Sequence, residues 1–159
     1  MEELTEALAE ETETYDELIR TARRKRDAVI RNELAGLSAA AEYEDAAARH
    51  LNRLDKRRTA AAAAIADSLG LGGGGVTLAG ISAAIPDEGE RSGLNALAEG
   101  LRARVTELRR INAENRALIE NALAYIEFSM NVMRGAAASV SARGGGIETE
   151  SACLLDTRS

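Results

Sequence analysis

Residues 94–133 read LNALAEGLRARVTELRRINAENRALIENALAYIEFSMNVM, the longest regular pattern in the chain. Apolar side chains return every three or four positions, and this spacing places them on one face of an α-helix. Asp87 and Glu90 have the spacing of a capping box, so the sequence predicts that this helix begins near Asp87 and ends near Arg134. The stripe consists of Leu94, Leu97, Leu101, Val105, Leu108, Ile111, Asn115, Leu118, Ala122, Tyr125 and Met133.

Two further helices are predicted upstream. The second ends at Gly70 and the glycines of positions 72–75, which a helix does not retain. Residues 76–86 are predicted to form one or two helical turns inside a connection, and Asn32 is predicted to cap the start of the second helix. The stripe of the first helix, in residues 3–31, is Leu4, Leu8, Tyr15, Leu18, Ile19, Ala22 and Val29. That of the second is Leu34, Leu37, Ala41, Ala48, Leu51, Leu54, Ala61, Ile65 and Leu69.

The charges of the first two helices favour a hairpin. Residues 1–17 contain eight acids and no base, whereas residues 20–26 contain five bases. The second helix repeats this order, with acids at 42–45 and bases at 49–58. Antiparallel packing brings the acidic start of each helix beside the basic end of the other. The alternative is that both charged faces are merely solvated.

The predicted fold class is therefore all-α, an antiparallel bundle of long helices. It consists of a helical hairpin and a long C-terminal helix with coiled-coil-like packing. The predicted domains are a helical bundle over residues 1–134 and a flexible Gly/Ser-rich tail over residues 135–159.

Composition argues against several function classes. The formal net charge is −6, so the chain lacks the basic excess of a nucleic-acid binder. It has no apolar run of the roughly 18 residues that membrane insertion requires. The acidic start and the single cysteine, Cys153, favour the cytoplasm.

The sequence offers no catalytic chemistry. His50 and Cys153 are the only histidine and cysteine, too few for a structural zinc site, and no strained serine turn accompanies His50. Gly70, Gly72 and Gly75 match a dinucleotide motif in spacing, but they follow a helix instead of a strand, so they form a linker. The chain is predicted not to be an enzyme, with no catalytic residue, no metal and no cofactor.

The end of the last helix predicts a partner surface. Around a helical wheel its apolar residues cover roughly 220°, although one packing face needs little more than about 100°. Another helix of the bundle, a second copy or a client protein must cover the surplus. Asn112 and Asn115 lie near the apolar stripe of this helix. They either fix its register or partner number, or lie at the edge of the stripe. The predicted protein-binding residues are Leu118, Ile119, Leu123, Ile126, Phe128, Met130 and Met133.

The chain resembles the FlgN family of flagellar export chaperones over most of its length. The clearest segment is 108–119, which is similar to the family's N-x-x-N run followed by apolar residues. The other matching segments are 16–19, 32–34 with Leu37, 51–58, 68–71 and 154–156.

This resemblance implies a cytoplasmic chaperone that binds hook-filament junction (hook-associated) proteins before type III export. Such a chaperone covers its clients' terminal helices, prevents their premature association and delivers them to the export apparatus. The family's client contact lies toward the C-terminal part. The alternative is a structural coiled-coil protein that forms a homodimer through its C-terminal helix.

Overall fold

The computed structural model describes residues 1–71 and 77–144, with side chains as far as Ala137. The helices are α1 (Glu2–Arg31), α2 (Leu34–Ser68), α3 (Leu78–Ala84) and α4 (Glu88–Gly144). No strand occurs among the described residues. The all-α prediction is confirmed, including the short helical element in the connection. The chain divides into two compact units, Met1–Ile119 and Glu120–Ser159.

Left-handed residues end the first two helices. Asn32 has φ 56° directly after α1, and the Glu33 N–H donates to the Ala28 carbonyl at 2.9 Å. Gly70 has φ 67° after α2, and the Leu71 N–H donates to the Ala66 carbonyl at 3.0 Å. The predicted role of Asn32 as the cap of the second helix is wrong. Its short polar side chain tolerates the left-handed conformation, so it ends the first helix instead.

Side-chain caps begin the last two helices. The Thr77 hydroxyl accepts a hydrogen bond from the Gly80 N–H at 3.1 Å at the start of α3. The Asp87 carboxylate accepts one from the Glu90 N–H at 2.8 Å, so the predicted start of α4 is confirmed.

The last helix continues through Gly135 to Gly144 and does not end near Arg134. One glycine inside a helix costs only about 1 kcal/mol, which its helical neighbours can offset. Residues 145–159 lie outside the described part of the chain, so the flexible tail remains a prediction.

Ion pairs show that α1 and α2 form the predicted antiparallel hairpin. Near the start of α1, Glu10 lies 3.0 Å from the Arg57 guanidinium. Nearer its end, Lys25 lies 2.7 Å from the Glu44 carboxylate. As the residue numbers rise along α1, those of the paired residues fall along α2, so the two helices are antiparallel. The two charge gradients predict this arrangement.

Within the first unit, α4 runs parallel to α1. Arg104 Nε lies 2.9 Å from the Asp16 carboxylate, and Asn115 Nδ2 lies 2.8 Å from the Ala22 carbonyl oxygen. The residue numbers of the paired positions rise together along α1 and α4, so these helices are parallel. Thus α1, α2 and the first part of α4 form an up-down-up three-helix bundle. Two groups of buried residues hold it together. They are Leu4, Leu8, Ala61, Ile81, Ile85 and Leu94, and then Ile19, Ala22 and Ile111.

The second helix contributes mainly alanines to this core. Ala40, Ala47 and Leu54 are buried, whereas the predicted core residues Ala41 and Ala48 are exposed. These predictions are wrong by one position because runs of consecutive alanines carry no periodic signal. Leu34, also predicted for the stripe, is exposed at the start of α2.

Candidate functional site

Exposed apolar side chains define a surface in the second unit, here called the apolar segment (residues 123–133). Seven large apolar side chains in eleven consecutive residues are exposed to solvent. Phe128 is 66% exposed and Met133 is 64% exposed. The set is Leu123, Tyr125, Ile126, Phe128, Met130, Val132 and Met133.

The predicted protein-binding residues fall into two environments. Leu118 and Ile119 belong to the first unit and are half-buried. The other five lie in the apolar segment and are exposed: Leu123, Ile126, Phe128, Met130 and Met133. Each of these five side chains is exposed, as a partner-binding surface requires.

Two residues of the apolar segment were absent from the predicted site. Tyr125 is 72% exposed and Val132 is 55% exposed. Both already lie within the wide arc of the helical wheel, which was the signal that could have included them. The sequence predicts Tyr125 for the core stripe of α4 instead.

The apolar segment has two stripes on different sides of the helix. At about 100° per residue, the centres of the two stripes are roughly 150° apart. The first stripe is Leu123, Ile126, Met130 and Met133, and the second stripe is Tyr125, Phe128 and Val132. A polar strip formed by Glu127, Asn131 and Arg134 separates the stripes on one side of the helix.

An open groove of about 610 Å³ lies between α1 and α2 in the first unit. Ala46 and Ala47 line its α2 side, with Tyr43 and His50 beside them. The His50 Nδ1 lies 3.3 Å from Arg53 Nη2, and no serine or cysteine lines the groove. Small side chains on α2 account for the groove, which has the features of an incompletely filled helix contact.

Shifted pKa values in the first unit follow from helix packing. Hydrogen bonds from Arg110 lower the pKa of the Glu107 carboxyl, and Arg23 adds to this effect. Burial raises the pKa of the Tyr15 phenol, and the nearby Glu11 carboxylate raises it further. Structural ion pairs and partial burial produce such shifts without a catalytic role.

The described residues offer few other ligand sites. They contain no group of three or more His, Cys, Asp or Glu side chains placed to hold a metal ion. Cys153, Gly72 and Gly75 lie outside the part that the structure describes. Across residues 1–71 and 77–144, the helices lack the combination of length and hydrophobicity that crossing a membrane demands.

Comparison with known proteins identifies the family. No curated protein and no solved structure matches the chain. The model of one protein family, described as FlgN protein, matches residues 1–149. Because this match covers most of the chain, the chain belongs to the FlgN family, a family of flagellar export chaperones.

Proposed function

We propose that this chain is a cytoplasmic type III flagellar export chaperone that binds hook-filament junction proteins and prevents their premature association. The observation that carries this proposal is the apolar segment, whose large side chains are exposed on one helix. Soluble monomers seldom expose contiguous apolar surface of this kind unless it binds a partner.

Client binding would remove this surface from water. Burying a large apolar side chain contributes roughly 1.5–3 kcal/mol, so seven of them provide ample driving force even after the costs of association. The described surface belongs to a single helix, against which client helices pack through their own apolar faces. Met130 and Met133 have flexible side chains that adapt to different partner surfaces.

A pull-down tests this function. The tagged protein, expressed in its own flagellated bacterium, is expected to recover hook-filament junction proteins, identified by mass spectrometry. A variant truncated after Ala117 is expected to lose them, because it lacks the apolar segment. Its far-UV circular dichroism should still show a folded helical bundle. Equal recovery of these proteins by the truncated chain would contradict the proposed site.

The same exposed surface supports a second candidate, a coiled-coil protein that self-associates through its C-terminal helix. Self-association would bury the apolar segment against another copy. Analytical ultracentrifugation distinguishes the two functions, since this candidate requires a mass that rises with concentration and no hook-filament junction protein in the pull-down.

A further inference from the structure

We propose that the apolar segment binds two helices of one client molecule at once, one along each stripe of α4. This inference rests on the proposed function and adds the number and arrangement of the client helices. It follows from the width and division of the exposed apolar surface.

The first helix of the chain provides an internal measure of that width. α1 packs against both α2 and α4 within the first unit, and at about 100° per residue its buried side chains span roughly 180°. This arc runs from Ala28 to Ile19 around the helix. The exposed apolar side chains of the second unit span about 220°, from Phe128 to Leu123. The exposed arc is therefore at least as wide as the face of α1 that two helices cover. A single partner helix is too narrow to cover it.

Each stripe has the spacing of a separate packing seam. The first stripe follows steps of three, four and three residues, and the second follows steps of three and four. A single partner helix covers about 100°, whereas Ile126 and Phe128 point about 160° apart. One client helix bound along the first stripe would therefore leave the second stripe in water.

Small side chains join the two stripes on the side away from the polar strip. Ala122 and Ser129 occupy this junction. Because the centres of the stripes are roughly 150° apart, a helix on each stripe contacts α4 on its own side. The polar strip, with Glu127 and Arg134, remains in water, so no third covering helix is required.

A connected pair of helices binds this surface more favourably than two separate molecules. Once the first helix has bound, its connection holds the second at a high effective concentration beside the other stripe. Separate molecules would each lose their own translational and rotational freedom. This difference favours one client molecule as the source of both helices.

Single substitutions in each stripe test the inference. Ile126→Asp alters the first stripe, Phe128→Asp alters the second, and Asn131→Asp adds the same charge to the polar strip. Isothermal titration calorimetry measures the binding of each full-length variant to a purified hook-filament junction protein of the same bacterium. Both stripe variants are expected to weaken binding by about tenfold or more, and the control by less than about twofold.

The outcomes separate this inference from the proposed function. A one-to-one complex that is weakened by both stripe variants supports two helices from one client. If only one stripe variant weakens binding, or if the complex contains two clients or two chaperones, the inference is overturned while the chaperone function stands. If the unaltered protein binds no hook-filament junction protein, the proposed function itself fails. Circular dichroism checks that every variant retains its helicity.

Discussion

At the scale of single residues, Asn115 is the most informative polar side chain in the bundle. It is 2% exposed, and its Nδ2 donates a 2.8 Å hydrogen bond to the Ala22 carbonyl oxygen. Its Oδ1 is buried without a partner among the described residues. Because a buried amide is costly unless hydrogen-bonded, sliding α4 along α1 would lose this bond and leave the whole amide unsatisfied. Asn115 thus favours one register of α4 on α1.

Substituting Asn115 with Asp is expected to destabilise the first unit by about 2–4 kcal/mol at pH 7. The substitution removes the donor and places a carboxylate against the Ala22 carbonyl oxygen. The matched control is Asn112→Asp on the exposed side of the same helix, with an expected change within about 0.5 kcal/mol. Urea denaturation followed by circular dichroism measures both changes. Losses of equal size would show that Asn115 has no special role.

The sequence left open whether these amides fix the register of the helix or only lie at the edge of its apolar stripe. Asn112 and Asn115 are three residues apart, and a helical wheel alone places both near the stripe. Which one is buried depends on the rotation of α4 against α1. The structure buries Asn115 and exposes Asn112.

At the scale of helices, the hairpin combines an ion pair that has a buried carboxylate with a neighbouring exposed pair. Arg58 Nε lies 3.0 Å from the Glu11 carboxylate, and the Glu11 side chain is 6% exposed. Arg57 lies 3.0 Å from Glu10, but both side chains are more than 40% exposed. Water screens the second pair, so the first contributes more to the stability of the hairpin.

Arg58→Ala is expected to lower the free energy of unfolding by about 2–3 kcal/mol, because it leaves a buried carboxylate without its partner. Arg57→Ala should lower it by less than about 1 kcal/mol. Replacing Glu11 and Arg58 together by Leu should recover most of the loss, since no buried charge then remains. Thermal denaturation of the three variants measures these changes in stability. Equal destabilisation by the two arginine substitutions would contradict the prediction.

Local chemistry made most of the helix boundaries predictable. Gly70 ends α2 and Asp87 caps α4 through interactions with neighbouring residues, so each signal is contained in a few positions. The face that α2 buries was less predictable, because alanines on adjacent positions make several rotations of the helix nearly equivalent. Contacts with α1 select Ala40 and Ala47 over the exposed Ala41 and Ala48.

At the scale of the whole molecule, the sequence indicates the apolar residues of the candidate surface. It does not indicate which other parts of the chain pack against them. The apolar arc that runs from Phe128 to Leu123 is too wide to be a single packing face. Whether another helix of the same chain covered that arc was a question of tertiary structure, which periodicity does not answer. The structure leaves Phe128 and Met130 exposed, and it is this exposure that supports a partner.

The central claim is that the apolar segment binds hook-filament junction proteins. Its most direct test is calorimetric titration of a purified hook-filament junction protein with the double variant Phe128→Asp and Met130→Asp. A control carrying Asn131→Asp and Arg134→Gln makes the same change in net charge within the polar strip of the helix. The account predicts that the first variant loses binding without losing helicity and that the control binds like the unaltered protein. Unchanged binding by the Phe128 and Met130 variant would contradict the account.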